Sequence, residues 1–162
     1  MFSTPGSWLS QLPGSARIAA GYELMYRMSK EYHKPEFGIR AVALRGTQVP
    51  VLEQVALSKP FCRLLRFNRY SDDGELVEAL GQSPTVLVVA PLSGHYATLL
   101  RDTVRSLLAD HDVYVTDWVD ARLVPREEGS FGLDDYVAYI REFINHIGAE
   151  RVHVVSVCQP CV

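Results

Sequence analysis

The second half of the chain alternates between apolar runs and helical stripes. Residues 85–90, Thr-Val-Leu-Val-Val-Ala, form an unbroken apolar run, the pattern of a strand covered on both faces. Over 94–110, Tyr96, Leu99, Leu100, Val104, Leu107 and Leu108 fall on one helical stripe. Residues 112–117 predict a second strand. Leu133, Tyr136, Val137, Ile140, Ile144 and Ile147 then recur at spacings of three, four and seven, and Gly148 stands where a C-terminal cap belongs. Residues 152–157 predict a third buried strand. Strand, helix, strand, helix, strand implies parallel pairing through crossovers, so the expected fold class is α/β with a mainly parallel sheet.

Upstream the pattern is weaker. Ile18, Tyr22, Met25 and Met28 predict an amphipathic helix over 13–32, ending before Lys34-Pro35. Two apolar stretches, 49–57 and 61–70, flank Ser58-Lys59-Pro60 and predict an antiparallel pair. Arg63, Arg66 and Arg69 read as its solvated face. Residues 75–80 predict a short helix. The organisation expected is an N-terminal helical segment, 1–48, followed by one sheet domain, 49–162.

Composition keeps the picture ordinary. The 162 residues are 48% hydrophobic and 22% charged with net charge −3, and no basic cluster points to nucleic acid. No apolar stretch is long enough for a transmembrane segment, and the N-terminus lacks the charge and apolar run of a secretory signal. Three cysteines make no disulfide framework, which fits a reducing cytoplasm.

Reactive groups in open α/β sheets gather at the carboxyl ends of strands. Three such ends are visible: the segment from Ala90 to His95, Asp117-Trp118, and Cys158. The first offers small residues and backbone amides, as an oxyanion hole needs. The last lies in Ser156-Val157-Cys158-Gln159-Pro160, which resembles a nucleophile turn with a small residue two before the nucleophile. Pro160 departs from the usual glycine but suits the first turn of a helix. The plain alternative is a buried structural cysteine. Cys158-Gln159-Pro160-Cys161 also has dithiol-oxidoreductase spacing, but at the wrong place in the chain for that fold, and a zinc site would need two more ligands. His95 suits a loop or substrate contact; His153 reads as a packed strand residue; His33, His111 and His146 read as solvated. Asp117 and Asp120 read as loop anchors acting through Arg122.

Several longer motifs then carry a resemblance. Val89-Ala-Pro-Leu-Ser-Gly-His-Tyr-Ala-Thr-Leu-Leu-Arg101, His111-Asp-Val-Tyr-Val-Thr-Asp-Trp-Val-Asp-Ala-Arg122 and Val155-Ser-Val-Cys-Gln-Pro160 together resemble intracellular polyhydroxybutyrate depolymerases. Tyr32-His-Lys-Pro-Glu-Phe-Gly38 and Lys59-Pro-Phe-Cys-Arg-Leu-Leu-Arg-Phe67 are similar to the same family.

The resemblance implies a partial α/β-hydrolase core ending at the nucleophile elbow, which cleaves esters of stored 3-hydroxybutyrate polymer. Cys158 matches the nucleophile, and the oxyanion donors would be the amides of Gln159 and Ser93. Cys161 takes no role. No cofactor or metal is implied; the partner is a polyester granule or 3-hydroxybutyrate oligomers, in the cytoplasm or at the granule. The family's acid and histidine lie beyond residue 162, so this chain alone is expected to be inactive, and residues 152–157 to form an apolar edge prone to self-association. Two alternatives stand beside this. One is a polyester synthase or acyltransferase, although Gln159-Pro160 replaces the glycines expected there; the other is a non-catalytic granule-binding fragment.

Overall fold

The computed structural model describes residues 15–29, 34–92 and 96–161. The chain divides into two units, residues 1–34 and 35–162. In the first, helix α1 (Ser15–Ser29) leaves Ile18, Tyr22, Met25 and Met28 exposed, and Arg27 pairs with Glu23 one turn earlier at 2.5 Å. A surface pair of this kind contributes little to stability.

The second unit is built on a six-stranded sheet. Its first hairpin joins β1 (Ala41–Leu44) to β2 (Thr47–Ser58). Arg45 and Gly46 form the turn, with φ of 48° and 84°. Two successive left-handed residues give a turn whose twist matches that of the flanking strands. Residues 41–48, which the sequence reading joined to the N-terminal segment, therefore belong to the sheet. β2 pairs antiparallel with β3 (Cys62–Arg69), as the sequence predicts, with a register irregularity between Val55 and Leu57. Next comes α2 (Gly74–Gly81), where the Asp73 carboxylate accepts from the amides of Glu75 and Leu76 at 2.9 and 3.4 Å, satisfying two of the helix's orphan donors.

β4 (Thr85–Val89) follows, then a 3-10 turn at Ala97–Leu100 leading into α3 (Arg101–Leu107). This helix is shorter than the stripe over 94–110 suggested. β5 (Asp112–Trp118) precedes a loop, and α4 (Leu133–Ile147) leads to β6 (Val152–Ser156). The Asp135 carboxylate accepts from the Gly132 amide at 2.8 Å, which fixes the start of α4. Gly148, at φ 116°, ends it by donating to Ile144 O at 2.9 Å.

The strand order is β1-β2-β3-β5-β4-β6. The β1–β2, β2–β3 and β3–β5 pairs are antiparallel; β4–β5 and β4–β6 are parallel. The class is thus mixed α/β, and the expectation of a mainly parallel sheet is corrected. Parallel pairing holds across the α3 and α4 crossovers, the short turns joining β1 to β2 and β2 to β3 force antiparallel pairing, and β3 then lies antiparallel to β5 although α2 follows it.

The core runs through the middle of the sheet. Leu64, Phe67, Leu87, Val88, Val89, Val113 and Val115 are buried with Val104, Leu108 and Phe143 from the helices. Tyr136, Tyr139, Ile140 and Ile144 of α4 pack against this cluster. A run of aromatic contacts ties α4 to the strands: Trp118 stacks on Tyr136 at 4.8 Å and Phe61 on Phe131 at 4.7 Å. Lys59 reaches the same region, bonding Glu142 and lying 4.4 Å above the Tyr139 ring.

β6 is the exception. It pairs only with β4 among the described residues, and His153, Val154 and Val155 are exposed. The strand predicted over 152–157 is present and stands at the edge that the resemblance led us to expect; what is corrected is its reading as buried, with His153 packed inside it. An apolar run shows that a strand can be covered, but a neighbour must be present to cover it. The arginines of β3 are also not simply solvated. Arg63 pairs with Asp117 at 2.7 Å and Arg66 with Asp112 at 2.9 Å, both across to β5, and Arg69 donates to Leu108 O at 2.8 Å. Burial lowers the Arg69 pKa.

Candidate functional site

The carboxyl ends of β4 and β6 lie side by side. Their parallel register runs from Thr85↔Val152 to Val89↔Ser156, and Val157 N–H donates to Val89 O at 3.1 Å, extending the ladder by one bond. Immediately afterwards Cys158 turns the chain with φ of 68° and is exposed. A non-glycine residue in this region carries strain of order 1–3 kcal/mol and persists only when its surroundings hold it. The one other described non-glycine residue with positive φ, Arg45, is explained by its hairpin turn. Cys158 has no hairpin around it; it joins a strand to a 3-10 turn at Gln159–Cys161.

Bonds on both sides of the bend maintain it. Cys161 N–H donates to Cys158 O at 3.0 Å, closing the turn, and Cys161 Sγ donates to Ser156 O at 3.1 Å. Cys161, which the sequence reading left without a role, therefore ties the turn back to the strand before it.

The end of β4 is held from the opposite side. Its pairing with β5 runs as far as Val88↔Val115. Beyond that point side chains take over the backbone. Ala90 N–H donates to Thr116 Oγ1 at 2.9 Å, and Trp118 Nε1 donates to Ala90 O at 3.0 Å, both in buried surroundings. Thr116 is fully buried, and its hydroxyl is the reason a polar residue is tolerated within β5. Pro91 then carries no N–H. At Leu92 the chain is gripped again, as its N–H donates to Oε1 of Gln159 at 3.2 Å.

Of the three residues singled out for catalysis, the structure brings Cys158 and Gln159 to the end of β6, and Gln159 touches the loop from β4. Ser93 lies outside the described residues, as do His95 and His33. None of the three described histidines reaches the Cys158 turn. His153 is five residues back, within β6, roughly 16 Å away for extended chain. His111 precedes β5 at the other end of the sheet, its ring bonded to Leu107 O at 3.2 Å, and His146 is in the last turn of α4.

The two acids near the β5 end differ. Asp120 follows the sequence reading: Arg122 grips it at 2.6 Å, and that hydrogen bonding holds its carboxyl below the usual range. Asp117 does not, since its buried carboxylate pairs with Arg63 opposite it on β3. Tyr136 lies against Trp118 with its hydroxyl buried and no hydrogen-bond partner for it among the described residues. Burial, with Cys62 and Cys161 adding to it, pushes its ionisation up to about 12.

The sequence reading missed Thr116 and Trp118 as backbone anchors. A signal existed for the first, because a threonine inside the apolar run of β5 needs a partner if buried. No cluster of three or more potential metal ligands occurs among the described residues. Comparison with protein-family models, with curated proteins and with solved structures matches this chain to none of them. No described helix is long and apolar enough to cross a membrane.

Proposed function

We propose that Cys158 is the nucleophile of an acyl-transfer site and that its substrate is an ester of 3-hydroxybutyrate, in the manner of an intracellular polyhydroxybutyrate depolymerase of the α/β-hydrolase type. The observation that carries this reading is the strained, exposed Cys158 at the end of β6, beside the end of β4. A nucleophile elbow has this character: a sharp strand-to-turn bend lifting the reactive atom above the sheet, with one amide from the following residue and another from a neighbouring strand-end loop. The parallel β5-β4-β6 half of the sheet supports the same reading.

The chemistry follows from those parts. The Cys158 thiolate attacks the ester carbonyl, and the amides of Gln159 and Ser93 hold the developing oxyanion. The carbon–oxygen bond to the leaving alcohol breaks, water returns to the alkoxide the proton that solvent took from the Cys158 thiol, and a thioester remains for a second water to hydrolyse. The base for that last step is not one of the described histidines, so the acylation half is the step to test. Action at a polyester granule in the cytoplasm belongs to this reading. The exposed apolar stripe of α1 favours a second one, granule binding without cleavage.

The experiment is acylation by an aryl ester of 3-hydroxybutyrate, followed by release of the aryl alcohol and peptide mass mapping. Stoichiometric release with one acyl group on Cys158, lost in Cys158→Ala and retained in Cys161→Ala, supports the proposal. A wild-type chain that iodoacetamide alkylates at Cys158 but that never acylates there refutes it. Granule sedimentation that survives alkylation favours the second reading.

A further inference from the structure

We propose that the Gln159 side chain is a positioning residue: it tethers the loop after β4 to the turn that carries Cys158. The catalytic part of this inference rests on the reading of Cys158 as nucleophile; the tether does not. Gln159 and Leu92 are 67 residues apart in sequence, yet Oε1 of the first accepts from the backbone N–H of the second at 3.2 Å. Two features make this contact more than a chance surface bond.

The first is where the ladder stops. Ala90 is the last residue of the β4 end that β5 holds, through Thr116 and Trp118. Pro91 offers no donor, so Leu92 is the first residue past the sheet whose N–H can be gripped. Gln159 occupies that point. The second is reach. β4 and β6 are adjacent strands, about 4.8 Å apart in a regular sheet, and a glutamine side chain spans that gap where an asparagine, about 1.5 Å shorter, falls short.

A chemical consequence follows. With its N–H committed to Gln159, Leu92 does not offer that N–H to an oxyanion while the tether holds. The tether holds Leu92 to the turn that carries Cys158. Because the bond is solvent-exposed, its loss should barely change folding and should act on the geometry of attack.

The test uses Gln159→Ala, Gln159→Asn and Gln159→Glu in the full chain, with two readouts. Amide exchange at Leu92, followed by NMR, should accelerate in the alanine and asparagine variants and stay slow in the glutamate variant, which keeps an acceptor at the same reach. Acylation of Cys158 by the aryl ester should slow about a hundredfold in the alanine variant, the scale of a 1 Å misplacement, while iodoacetamide alkylation stays unchanged. Unaltered Leu92 exchange in Gln159→Ala overturns the tether. Faster acylation overturns the positioning role, since the amide oxygen would then be occupying the oxyanion's own place. If Leu92 exchange responds as expected but the wild-type chain never acylates, the tether stands and the reading of Cys158 falls by itself.

Discussion

Replacing Thr116 by valine isolates the buried bond at the end of β4. The two side chains have nearly the same shape, so Thr116→Val opens no cavity and keeps a β-branched residue in β5. What changes is the partner of Ala90 N–H, which donates to the threonine oxygen at 2.9 Å in buried surroundings. Thr116 and Ala90 are both fully buried, so water cannot replace the lost acceptor without opening the sheet. An unsatisfied buried donor costs about 1–3 kcal/mol. For a domain of this size that lowers the thermal midpoint by roughly 2–12 °C. Urea unfolding of wild type and variant, compared at equal m-value, measures the loss, and Ala90 amide exchange locates it. A change below about 0.5 kcal/mol, the range of ordinary surface substitutions, would show that this bond does not anchor the strand end.

Tyr136→Phe should have the opposite sign: it removes a buried hydroxyl that lacks a partner among the described residues, so the chain should gain about 1 kcal/mol in urea unfolding, and a loss would reveal a partner. The same group shapes the alkaline limit. Its folded pKa, about 12, exceeds the ordinary 10.0, so its contribution is complete below pH 10 and lost as pH rises through 12; Tyr136→Phe should flatten that decline in an alkaline unfolding series. At the open edge, Val154 and Val155 are 45% and 38% exposed, and a lysine at either position should reduce self-association in sedimentation velocity. Unchanged association would mean the β6 edge is not the contact.

Helix α4 was legible to the residue because its stripe and its closing glycine agree. β2, β3, β4 and β5 were legible as strands for a similar reason: their apolar runs are bounded by turn residues. The first hairpin was missed although its signal is present, with Val42 and Val49 buried on either side of Arg45-Gly46. That pair lacks the asparagine or aspartate that usually marks such a turn. Other features depend on what sits next door, which no local pattern carries. Val152 to Ser156 reads much like β4 in its local pattern, and its place at the edge, with β4 its one neighbour among the described residues, was expected from the resemblance and not from that pattern. Asp117 reads as a loop residue beside Arg122, but its register opposite Arg63 is set by the β3–β5 pairing.

The site shows the same division in sharper form. The motif around Cys158 marked where a reactive thiol would stand, and strand-end reasoning marked the loop that would face it. Neither could say what holds a cysteine at φ 68°, because strain is offset by contacts elsewhere. Here those contacts can be named: Val157 N–H on Val89 O before the bend, Cys161 N–H on Cys158 O and Cys161 Sγ on Ser156 O after it, and Gln159 on Leu92 across it. The two backbone bonds contribute about 0.5–1.5 kcal/mol net each and the exposed side-chain bonds less, so together they are of the same size as a strain of about 1–3 kcal/mol, whereas any one alone is not. A cysteine can therefore stay in a backbone conformation that ordinarily calls for glycine, with its side chain exposed at the strand end. Two residues that follow it in the bend, Gln159 and Cys161, hold it there through their side chains, a role that the sequence motif did not assign to either.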